Sequence, residues 1–119
     1  MKYMLLINMD PKAHEALTEE QQAAVGAAHG KLMALVEESG ELVAAEALSE
    51  PVKTTVVRVR DGETVASEGP LADSEVYFCG YYIVDVAGRE RAIELAAMIP
   101  DAEWSAVEVR PFFEMPEEG

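Results

Sequence analysis

Two histidines, one cysteine and 23 acidic side chains are the groups in this 119-residue chain from which proton-transfer or metal chemistry could be built. His29 is the first candidate. Val25, Ala28, Leu32, Leu35 and Val36 recur around it at the spacing of one helical stripe. His29 falls at the edge of that stripe, turned toward a sheet, partly desolvated yet close to the rim. An imidazole so placed can act as acid or base near neutral pH; alternatively it is a core-edge histidine bonded to backbone. A histidine in acid–base work has an orienting carboxylate. Glu38 lies on the opposite side of the helix, and Glu37 sits ~12 Å further along its axis. Asp10 is better placed, because its loop, Asn8-Met9-Asp10-Pro11, must turn back over the sheet to reach the helix. The alternative role for Asp10 is local, initiating the turn before Pro11.

The remaining reactive groups form no recognisable constellation. His14 lies in the loop before the helix and is expected to be solvated. Asp10, His14, His29 and Cys79 lack the spacing of a metal site, so neither metal nor cofactor is expected. Cys79 stands in a strand with no cation beside it, and reads as an inert buried thiol. Arg110, just before Pro111, either holds an anionic group of a substrate or is solvated and paired. There is no P-loop, no GxGxxG and no nucleophile elbow.

Several elements must position these groups. Lys2–Ile7 (KYMLLI) reads as a strand that ends at the Asn8–Pro11 loop. Thr18-Glu19-Glu20-Gln21 has the form of a capping box, opening a helix that stops at Ser39-Gly40. A strand at Leu42–Leu48 and Pro51 follow. Thr54–Arg60 and Glu63–Ser67 flank Asp61-Gly62, a strong hairpin signal. Tyr77–Val86 is a long strand. Gly88–Ile99 is a second helix, with Ala92, Ile93, Ala96 and Ala97 on its stripe, and Glu103–Pro111 is the last strand. This β-α-β-(hairpin)-β-α-β order predicts an α+β, ferredoxin-like sandwich with an inserted β-hairpin. Two helices cover one sheet face only, yet alternate residues of Tyr77–Val86 and of Tyr3–Ile7 are apolar on both faces. The second face needs a cover. A sheet-face homodimer supplies one; the hairpin folded over that face is the alternative.

Composition narrows the class. Half the residues are hydrophobic, so the chain folds, and its length suits one domain. The formal charge of −14, from 9 Lys+Arg against 23 Asp+Glu, disfavours a nucleic-acid or anionic-membrane partner. No apolar run reaches the ~20 residues of a membrane span, and the amino terminus has no signal-peptide pattern. With its single cysteine, the chain is expected to be cytoplasmic.

Six segments taken in order resemble the YCII-related proteins, and within them the branch named for a DGPF motif. They are KYMLLINMD, AHGKL around His29, VRVRDGET, EGPLADSE, GYYIVDV and VEVRPF. The resemblance implies one domain over residues 1–113, followed by an acidic tail at 114–119. It implies a dimeric α+β barrel with a His–Asp pair that falls here on His29 and Asp10. One relative is a dehydrochlorinase of a muconate-type acid, so elimination or lyase-type proton transfer on a small molecule is the expected activity. Arg110, Glu68, Leu71 and Tyr81 are then expected to shape the substrate pocket. The DGPF position reads Glu68-Gly69-Pro70-Leu71, keeping the acid and losing the aromatic, and Glu75 stands where lysine is common. Alternatives are a non-catalytic ligand-binding or regulatory dimer, as some branch members occur beside sigma factors, and a polyketide-cyclase or monooxygenase-like barrel.

Overall fold

The computed structural model describes residues 1–114. Residues 115–119, the greater part of the expected acidic tail, lie outside the described residues. Strand β1 (Lys2–Met9) leads into a short helix α1 (Pro11–Glu15) and a long helix α2 (Glu19–Ser39). Strand β2 (Leu42–Ala47) precedes a 3₁₀ turn and the hairpin β3 (Thr55–Arg60) and β4 (Glu63–Glu68). Strand β5 (Tyr77–Asp85), helices α3 (Arg89–Ala97) and α4 (Asp101–Trp104), and strand β6 (Ala106–Pro111) complete the described chain. It is a mixed α+β fold with antiparallel sheets. The main sheet has the order β2-β5-β1-β6, with its two central strands contributed by the most apolar segments.

Local chemistry accounts for the element ends. The capping box at α2 is complete: Gln21 N donates to Thr18 Oγ1 (3.1 Å), and Thr18 N donates to Gln21 Oε1 (2.8 Å). Two of the helix's orphan donors are satisfied this way. At the hairpin tip Asp61 and Gly62 both have positive φ (50° and 77°), as a two-residue primed turn requires. The backbone N–H of Gly69 closes the hairpin base on the Thr54 carbonyl at 2.7 Å.

The core lies between one sheet face and the helices. Tyr3, Leu5 and Ile7 of β1 and Tyr82 and Val84 of β5 are buried against Leu32 and Val36 of α2. Ala92, Leu95, Ala96 and Ile99 complete it. The buried stripe of α3 is therefore Ala92-Leu95-Ala96, an i, i+3, i+4 series continued by Ile99 just beyond the helix end, rather than the expected one containing Ile93 and Ala97. Ile93 is 40% exposed. Three further expectations need correction. The loop after β1 is helical at α1, because Pro11 follows a capping aspartate and suits a first helical turn. The last strand begins at Ala106, since Asp101–Trp104 forms α4. The alternative cover for the second sheet face also fails, because the hairpin stands away from the main sheet.

That last point is visible in the molecule's shape. The radius of gyration is 17.0 Å, against roughly 13.5 Å for a compact chain of this length, and the extents are 53 × 49 × 18 Å. Val57, Val59 and Val65 on the hairpin are about half exposed or more. Met4, Leu6, Tyr81 and Ile83, which alternate with the buried residues of β1 and β5, are half-buried and are not part of the core cluster.

Candidate active site

Helix α2 delivers His29 to the sheet from the rim of its apolar stripe, with 30% of the side chain exposed. Both ring nitrogens are engaged. Nδ1 lies 2.9 Å from the Tyr82 hydroxyl, with the two ring planes within 6° of parallel. Nε2 lies 3.5 Å from Oδ1 of Asp101. Tyr82 comes from the covered face of central strand β5. Asp101 opens α4 and is 6% exposed, the one charged side chain that is buried among the described residues. Its only ion-pair partner among the described residues is His29.

The expected His29–Asp10 pair does not form. The Asp10 carboxylate caps α1, accepting the backbone N–H groups of Lys12 (3.1 Å) and Ala13 (3.4 Å) through Oδ1. This is the local role of an aspartate before proline, and it leaves the histidine to a carboxylate 72 positions later. With an ionised Asp101, the tautomer that fits is Nε2–H toward the carboxylate and a Nδ1 lone pair accepting from Tyr82. The order is then carboxylate, imidazole, phenol.

These groups line a cavity of about 370 Å³. Its walls are mostly apolar: Ile7 and Met9 from β1, Val25 and Met33 from α2, Ala45 and Ala47 from β2. His14 of α1 also lines it, contrary to the expectation of a solvated side chain, because α1 turns this loop back over the sheet end. Trp104 of α4 closes another side, its indole N–H buried with no acceptor among the described residues.

Cys79 reaches the same wall through an irregularity in the sheet. The β1–β5 register slips between Ile7 and Asn8, whose partners are Gly80 and Phe78, so Cys79 is the unpaired residue of a bulge. A strict alternation puts Cys79 on the face opposite Tyr82. The bulge instead lets it pack against the core and line the cavity. Burial raises its thiol above the ordinary cysteine range, and the charge of Asp101 adds to that. The Tyr82 phenol is pushed upward by the same two causes in the same order, so it stays protonated at neutral pH.

Of the other expected pocket residues, Tyr81 contributes to the lining. Arg110 is exposed on β6, paired in register with Met4 on the sheet face away from the helices. Glu68 ends β4 and Leu71 is 76% exposed in the following loop; neither lines the cavity. Asp101, Tyr82 and Trp104 were not marked as site residues by the sequence. For Tyr82 a signal was available, since strand alternation sets it on the face that the helix bearing His29 must cover. For Asp101 there was none, because it falls in the short connection between the expected helix end at Ile99 and the expected strand at Glu103.

Comparison with known proteins places this geometry in context. The profile of the YCII-related domain matches residues 1–116. An uncharacterized protein of Rhizobium meliloti (strain 1021) is 26% identical over 113 residues, which is 93% of this chain and 91% of that relative.

Proposed function

The chain belongs to the YCII-related family, and from the constellation around His29 we propose that it is a small-molecule enzyme moving a proton by general acid–base catalysis, of elimination or lyase type. The observation that carries the reading is one imidazole held between a buried carboxylate and a phenol at a cavity wall. Asp101 takes the orienting role expected of Asp10. Because Nδ1 is hydrogen-bonded to the phenol and Nε2 faces Asp101, the substrate's proton reaches His29 through Tyr82. As a proton passes from the substrate to the Tyr82 oxygen, the phenol's own proton passes to Nδ1. The imidazolium then donates through Nδ1 to the Tyr82 oxygen, and the Asp101 carboxylate, 3.5 Å from Nε2, balances its charge. No free phenolate is formed, which suits a phenol whose ionisation is opposed by burial and by the Asp101 charge.

A positioned acid–base group contributes ~10²–10⁴-fold. Incorporation of solvent deuterium next to the carbonyl of acetophenone, followed by NMR, is the assay. His29→Gln and Tyr82→Phe should each lose a factor in that range. Wild-type rates in either variant would end the relay.

The second reading is a ligand-binding protein without catalysis. It is favoured by the same arrangement, since an imidazole hydrogen-bonded through one nitrogen and facing a carboxylate through the other needs no substrate to explain its position. Absence of catalysed exchange in the wild-type protein would select it.

The family's dimeric, ferredoxin-like barrel is the assembly we favour. The open sheet face carrying Met4, Leu6, Tyr81 and Ile83, and a two-stranded hairpin with exposed valines, both call for an apolar cover. Sedimentation at twice the mass of one chain is the expected result, and a monomer at 100 μM would exclude it.

A further inference from the structure

Resting on the reading of the His29 cavity as the functional site, we infer that this cavity takes an uncharged, largely apolar molecule with one hydrogen-bonding oxygen, and rejects carboxylates. The volume of about 370 Å³ fits roughly a dozen non-hydrogen atoms, taking the space one water occupies in the liquid for each. The charges around it decide the class. None of the chain's nine lysines and arginines is in the lining; Arg58 and Arg60, for instance, are on the hairpin, Arg91 is held by Glu41 and Glu94, and Arg110 is on the open sheet face.

An incoming carboxylate therefore meets the carboxylate of Asp101 in the wall, with Glu46 also among the lining residues, and of the two imidazoles there His29 already faces Asp101 and His14 carries no fixed charge. No lysine or arginine of the lining offsets the loss of its hydration. A cation fares little better. Glu46 is solvent-exposed, so its attraction is screened, and the buried Asp101 is already opposite His29. An uncharged ring or chain gains the apolar walls of Ile7, Val25 and Met33, while its oxygen meets the Tyr82 hydroxyl.

The chain's single tryptophan makes this measurable, since Trp104 is part of the wall and gives one indole N–H signal. The full-length protein is titrated at pH 7.5 with acetophenone, benzoate and benzylammonium, three probes of nearly one size and three charges. Acetophenone should shift the Trp104 indole signal and the methyl signals of Met9 and Met33 together, in a saturable manner. Benzoate and benzylammonium should each bind at least tenfold more weakly. Either ion binding as tightly as acetophenone overturns the inference, as does a Trp104 signal unmoved by all three. Acetophenone binding without catalysed exchange refutes the catalytic reading alone and leaves the ligand class standing.

Discussion

Replacing Gly80 by alanine tests how the β2 wall of the cavity is held against β5. A Cβ at Gly80 would lie 2.9 Å from the Glu46 carbonyl oxygen and 3.4 Å from the Ala47 Cα. Comfortable carbon–oxygen contacts begin at about 3.3 Å, so β2 would have to retreat by about 0.4 Å. The obstructing atoms are backbone atoms in the β2–β5 ladder, where Ala47 pairs with Gly80, and no side-chain rotation relieves them. Overpacking of this kind costs about 1–3 kcal/mol. Alanine also restricts the unfolded chain, which returns about 0.4–1 kcal/mol. The clash wins, and a net loss of about 1.5 kcal/mol is expected. In urea, with a slope of about 1.5 kcal/mol/M, the midpoint should fall by about 1 M at fixed protein concentration. Amide exchange should quicken at Ala45 and Ala47 before the β1–β6 ladder is affected. Gly26→Ala is the control. It lies within α2 with nothing near its would-be Cβ, so alanine should stabilise by about 0.5–1 kcal/mol. A Gly80→Ala midpoint equal to or above that of the wild type would refute the close-approach reasoning.

Two further outcomes follow from the charge placements. Cys79 should alkylate with iodoacetamide more slowly at pH 8 than a free thiol, and Asp101→Asn should speed it a fewfold, since burial is the larger cause of its raised pKa and Asp101 the smaller; an unchanged rate would separate the two groups. Glu41 accepts two hydrogen bonds from Arg91 (3.0 and 2.9 Å) and one from Ser39 (2.7 Å), which hold its carboxyl below the usual range. A lowered folded-state pKa gives stability that is full above about pH 4.3 and lost as the pH falls. Glu41→Gln should thus cost about 1 kcal/mol in urea melts at pH 7, with the gap to wild type closing toward pH 3; a gap that stays constant with pH would exclude the ionised pair as its source.

Covalent spacing along the chain was sufficient for most of the elements and for the position of His29, but not for the short helices α1 and α4. The capping box at Thr18, the Asp61-Gly62 turn and the two-residue alternation of β5 from Gly80 onward are local properties, and each forms as its residues dictate. The position of His29 at the rim of the α2 stripe follows from helical geometry alone. Its partners do not. Asp10 is near His29 in sequence, but its carboxylate is taken by the backbone N–H groups two and three residues on, at no loop-closure cost. The carboxylate that reaches the imidazole arrives only after β5, α3 and the turn at Pro100 have stacked α4 beside the sheet. Cys79 turns toward the cavity because of a register slip that involves two strands at once, which no single-strand alternation contains. Sequence by itself determined the family, the mixed α+β class and the place of His29 at the rim of a helix. Tertiary structure alone chose the carboxylate, the phenol and the cavity's charge, because these depend on distances between segments whose separation along the chain is set by packing.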